Sequence, residues 1–208
     1  MSKEEYEKLL KEVDTRLAEI VDEMSAAIGT LKNDERFVRT RLLIAFSFSE
    51  IVCNLYNAYF NLGLANRQLM EKWFKEYCLT DKNPTYKKHH YLGMVDEAFM
   101  YKFRCAIVHT FGLPEPENGV SITVPNGIET SEVIKKMDEG FSKRGHKVAF
   151  ISADSLTQLF IDGFTLMHPE VFKKVEVATQ PDFDGLERIS KEFERRGARG
   201  VPLDGRSA

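Results

Sequence analysis

The chain has 208 residues, 43% hydrophobic and 29% charged, an ordinary globular composition, and its length allows roughly 70% of the unfolded surface to be buried. Its 29 basic and 32 acidic residues leave a formal net charge of -3, which excludes a globally basic duplex-DNA binder or polybasic membrane protein. A net charge averages away any local basic cleft, so that one feature stays open.

The opening segment MSKEEYEKLLKEVD is charged from the start and contains no apolar signal core. Leu9, Leu10, Val13, Leu17, Ile20, Val21, Met24 and Ile28 recur at helical spacing, which predicts a long amphipathic helix over residues 3–31. TLKNDERF then supplies a turn, with Asp34 placed to cap the next helix. Residues 36–62 are apolar on nearly every face, the pattern of a central helix packed on most sides. Ser47, Ser49, Glu50, Asn54 and Asn57 interrupt it, and inter-helix hydrogen bonding is the plain reading for them. Glu50 demands more, because a buried carboxylate needs a cation or a hydrogen-bond donor. No run of 18 uninterrupted apolar residues occurs, so no membrane span is expected.

NRQLMEKWFKEYCL (66–79) reads as a shorter amphipathic helix, and TDKNPTYKKHH as a loop. That loop carries Lys82, Lys87, Lys88, His89 and His90, which are either a solvated surface or, with Lys102, a phosphate-contacting edge. A helix is predicted from about Tyr91 to Phe111, stopped by Gly112 in the left-handed position and by Pro114. VSITV (120–124) and KVAFI (147–151) alternate like short strands, with a surface helix in the interval between them. A small β element, hairpin or strand pair is expected there. Leu156 to Val175 predicts a final long helix, kinked or divided at Pro169. Beyond residue 176 the chain turns polar, so a single helical domain over 1–176 and a tail over 177–208 are expected, with a short helix near Leu186–Arg196. Cys53, Cys78 and Cys105 lie in helical patterns without CxxC spacing, which points to a reducing, cytoplasmic setting.

The stretch FRCAIVHTFGLPEP (103–116) carries the chemistry. On a helix, Val95, Phe99, Phe103, Ile107 and Phe111 sweep one apolar face. Arg104 and His109 lie outside it, about 140° apart and about 7.5 Å along the axis. Between them lies an arc of small residues and Tyr101, suited to close helix approach, to a ligand groove, or to a groove formed at a dimer interface. Arginine forks onto phosphate oxygens, and histidine exchanges protons near neutral pH. The last helical turn also favours positive charge at His109. A structural alternative has Arg104 bridging to Glu50 and His109 capping the helix end. No HxxEH, CxxC or clustered carboxylate set is present, so no metal or cofactor is expected.

RCAIVH on a late helix of a helical domain resembles the R-x4-6-H signature of the HEPN superfamily (higher eukaryotes and prokaryotes nucleotide-binding). The resemblance extends over residues 5–175 as helix order and over about ten residues as motif. It implies a mainly α, antiparallel helical bundle that acts as a homodimer, with the two motifs forming one cleft. It also implies metal-independent endoribonuclease chemistry of the kind found in toxin–antitoxin and defence systems, with RNA as substrate and an antitoxin as a further partner. Arg104 and His109 take the catalytic positions, supported by Tyr101 and Cys105; Glu50, which the motif does not supply, is the carboxylate expected to orient the arginine. One departure stands out: active members often carry Asn, Asp or His after the arginine, where this chain has Cys105, a poor hydrogen-bonding group. A non-catalytic nucleotide-, RNA- or protein-binding module and a purely structural helical dimer are the competing readings.

Overall fold

A computed structural model describes residues 1–32, 34–117, 119–124, 131–143, 145 and 147–197. Helix α1 (Lys3–Leu31) opens with a reciprocal cap, in which Glu5 N–H donates to Ser2 Oγ and Ser2 N–H to the Glu5 carboxylate. Its stripe buries Tyr6, Val13, Leu17, Met24 and Ile28, while Leu9, Leu10, Ile20 and Val21 pack at the margin. A 3-10 turn at Glu35–Phe37, capped by Asp34 as expected, leads into α2 (Val38–Phe60).

Helix α2 is the axle of the molecule. It packs against α1 and against α3 (Asn66–Trp73), α5 (Glu97–Thr110), α7 (Ala153–Val171) and α8 (Gln180–Gly197). Leu42, Ala45, Phe46 and Cys53 are wholly buried, and Phe46 meets Phe103 and Phe160 with ring centroids 5.1 and 5.4 Å away. By length and composition the segment 35–60 could cross a membrane, yet over half of its most apolar window is buried inside the bundle. Its serines and Asn54 do not bridge helices as expected. Ser47, Ser49 and Asn54 donate to Leu43, Phe46 and Glu50 carbonyls of the same helix, because short polar side chains reach their own backbone first.

Helix α3 continues into a π-helical turn at Phe74–Cys78. The next segment is not the open loop expected. Asn83 is completely buried and donates to the Tyr77 and Leu159 carbonyls while accepting from Thr85 and Tyr86, which nucleates the short α4 (Pro84–Lys88). A 3-10 turn at His90–Met94 replaces the first turn expected of the Arg–His helix, and α5 itself starts after the cap Asp96. It stops one residue early as well. Phe111, with φ 54°, takes the left-handed position expected of Gly112, because Gly112 N–H closes onto the Ala106 carbonyl. Phe111 consequently leaves the apolar face and is 42% exposed.

Strands β1 (Val120–Thr123) and β2 (Lys147–Phe150) pair in parallel, Val120 opposite Lys147 and Thr123 opposite Phe150, with α6 (Ser131–Ser142) between them in sequence. The parallel register rules out a hairpin, since parallel neighbours need a crossover connection, which the segment holding α6 supplies. Pro169 does not divide α7; it sits in the last turn, two residues before the end. The helix expected near 186–196 spans Gln180–Gly197 and buries Leu186, Ile189 and Phe193. Residues 198–208 of the expected tail lie outside the described residues.

Candidate Arg–His site

Burial of Phe99, Phe103 and Ile107 turns α5 so that Arg104 points along the seam with α2 rather than into solvent. Arg104 is 7% exposed, and its Nη2 donates to Glu50 Oε2. Glu50 is itself one-third exposed and also accepts from Asn66 Nδ2 at 3.4 Å. The guanidinium wraps round the helix far enough to bring Nη1 within 3.4 Å of His109 Nε2. An arginine N–H can only donate, so this long contact is a hydrogen bond only when Nε2 carries its lone pair. Arg104 Nε is buried with no partner among the described residues. Burial opposes the arginine's charge, but the Glu50 carboxylate outweighs that cost and the guanidinium stays protonated.

His109 is exposed in the last turn of α5, beside exposed Phe111 and, shortly after it, Leu113. Sequence geometry left the arginine and histidine 140° apart; the length of the arginine side chain closes that gap within one chain. Around the helix, Tyr101 and Cys105 line a cleft of about 390 Å³ with Arg67, Lys102 and the strap Pro114–Glu117. Arg67 lies 5.8 Å from the Tyr101 ring centroid. Burial raises the Tyr101 phenol above its ordinary value, the Cys105 thiol adds to that, and Arg104 and Arg67 act against it. Lys102 is tied to Glu117 at 2.5 Å and does not face the Arg–His pair.

Lys87, Lys88, His89 and His90 are exposed around the end of α4. Among the described residues no hydrogen bond, ion pair or ring contact joins them to Arg104 or His109. Helix α4 packs on α7, and the His90 ring centroid lies 3.9 Å from that of Tyr91, the rings tilted by 38°; Tyr91 in turn meets Phe150 of β2. The expected phosphate edge is thus carried by α4 and the turn after it, on α7 and β2. Conversely, Asn66 and Arg67 of α3 enter the site unannounced; a lone Asn-Arg opening an amphipathic helix carries no signal of contact with Glu50 or Tyr101.

Chemically, the cluster offers a protonated guanidinium held in one orientation, a solvent-accessible imidazole, and a neutral phenol. Among the described residues no group of three His, Cys, Asp or Glu side chains is placed to hold a metal ion. No family model, curated protein or solved structure matches the chain.

Proposed function

We propose that the chain is a HEPN-type, metal-independent endoribonuclease whose reacting groups are His109 and Arg104. The observation that carries this reading is the 3.4 Å approach of Arg104 Nη1 to His109 Nε2 at a partly open surface, with Glu50 fixing the arginine. A phosphodiester at the Nη1 edge would meet a cation and a proton-exchanging group side by side. The 2′-hydroxyl of the RNA attacks the adjacent phosphorus, losing its proton to a neutral imidazole as the 2′-O–P bond forms. The P–O5′ bond breaks and the departing oxygen takes a proton, leaving a 2′,3′-cyclic phosphate and a 5′-hydroxyl. Arg104 steadies the charge on the equatorial oxygens. Two copies of α5 facing across a twofold axis would supply one imidazole as base and the other as acid. A toxin or defence effector with an antitoxin partner is the setting such chemistry suits.

The burial of Arg104 and its bond to Glu50 favour a second reading, a non-catalytic module in which the pair locks α5 to α2 and binding of RNA or protein occurs without cleavage. RNA cleavage in EDTA separates the two. His109→Ala should lower cleavage by about 10²-fold or more with the melting temperature unchanged. Arg104→Lys, which keeps the charge near Glu50, should lower it comparably through loss of the fork. RNA left intact by the unaltered protein across a broad substrate panel, or cleavage unchanged in both variants, would refute the nuclease.

A further inference from the structure

A second cleft, of about 410 Å³, opens where the π-helical turn Phe74–Cys78 faces the C-terminal ends of α2 and α7. It shares no residue with the Arg104–His109 site. Its apolar wall is aromatic. Tyr56 and Tyr77 are nearly buried, their ring centroids 5.7 Å apart and edge to face, and Phe60, 38% exposed, lies 4.9 Å from Tyr56. Each phenol donates to a carboxylate of the same cleft: Tyr56 to Glu76 Oε2 at 2.7 Å, Tyr77 to Glu170 Oε2 at 2.5 Å. Burial pushes both phenols well above their ordinary range and the bonded carboxylates add to it, so both remain protonated donors.

One oxygen of each acid is thus occupied. Glu76 Oε1 meets Lys72 of the preceding turn, whereas Glu170 Oε1 receives no hydrogen bond among the described residues. Lys82 is the one basic side chain lining the cleft, against two carboxylates, and no ion pair joins it to either. A π turn departs from regular helix geometry and recurs at functional positions; here it carries both Glu76 and Tyr77 into the cleft. An anion would be repelled by the two acids. A divalent metal would find no third carboxylate, cysteine or histidine in reach among the described residues. A cation with apolar substituents fits both halves of the lining, its charge on Glu170 and its methyl or methylene groups against the rings.

We infer that this cleft binds a small organic ammonium ion, such as an alkylated amine or polyamine, with Glu170 as counter-ion and Tyr56, Phe60 and Tyr77 as its aromatic wall. The inference does not depend on the nuclease reading. Calorimetric titration of the full chain with tetramethylammonium, spermidine and N-acetyl-lysine methylamide, beside the uncharged isostere 2,2-dimethylpropanol, tests it. Saturable binding of the amines is expected, weakened about 5-fold or more for the alcohol and in Glu170→Gln. Glu170→Gln still accepts from Tyr77, so its melting temperature should not move. Phe60→Leu should weaken binding while preserving apolar volume. Tighter binding of the lysine derivative would identify a lysyl side chain as the source of the ammonium group, and tighter binding of spermidine a free amine. No saturable amine binding, equal binding of the alcohol, or unchanged binding in Glu170→Gln would overturn the inference.

Discussion

Arg104 is already engaged in the fold before any ligand arrives, since Nη2 is bound by Glu50 while Nε has no partner among the described residues. Glu50→Ala therefore strands a buried cation. The full loss for a buried pair runs to several kcal/mol, but Glu50 is 32% exposed and water replaces part of the carboxylate, so about 1–3 kcal/mol is expected by urea denaturation. Asp182 makes the clearest pH-dependent contribution. Burial would push its carboxyl up, yet bonds from Lys173 (2.8 Å), Thr179 (2.7 and 2.8 Å) and Tyr59 (2.9 Å) outweigh that and hold it well below the usual carboxylate range. A depressed folded-state value means stability that is present above the unfolded value of about 4 and lost as pH falls from there towards the folded one. Denaturation midpoints should fall progressively below about pH 5. Asp182→Asn should lower stability at pH 7 and remove part of that acid dependence; an unchanged slope would deny Asp182 this role.

At the scale of elements, close approach decides where substitutions fail. A Cβ added at Gly163 in α7 would stand 2.8 Å from Cys78 Sγ and 3.3 Å from the Tyr77 carbonyl oxygen, both on the π turn. Gly163→Ala gains about 1 kcal/mol of helix propensity but overpacks this seam by about 1–3 kcal/mol, so net destabilisation of up to about 2 kcal/mol is expected in thermal melting. The same contact explains a feature that helical periodicity does not reveal. Residues 66–79 show a single amphipathic pattern, but packing Trp73 and Phe74 against Phe160 is accompanied by the widened turn. Likewise the run TDKNPTYKKHH looks like a loop until Asn83 finds the Tyr77 and Leu159 carbonyls, partners 6 and 76 residues away.

Across the whole molecule, α2 touches five other helices, so its side chains report global rather than local opening. Cys53 on α2 and Cys78 beside α7 are fully buried and burial raises both thiols well above their ordinary value, whereas Cys105 is partly exposed. In native protein a thiol reagent should modify Cys105 first, with Cys53 and Cys78 slower by about 10³-fold or more and accelerated together by denaturant. Modification of all three at one rate would mean that the bundle opens locally around α2.

Much of this architecture is written in the one-dimensional pattern. The stripe from Val13 to Ile28, the all-round apolar run of α2 and the cap at Asp34 depend on neighbours within a turn or two, which is why α1 matches its expected bounds and α2 falls within two residues of its own at each end. The pairing of Arg104 with Glu50 was legible too, because a carboxylate in an apolar helix and an arginine in another each require a counter-charge. Three things were decided only in three dimensions. The arginine turned into the α2 seam because Phe103 and Ile107 fix the roll of α5. The strands paired in parallel across a connection that holds a helix. The run before Tyr91 became a capped α4 because Asn83 reached the Tyr77 and Leu159 carbonyls. Each depends on contacts between distant residues, whose energies no local spacing encodes.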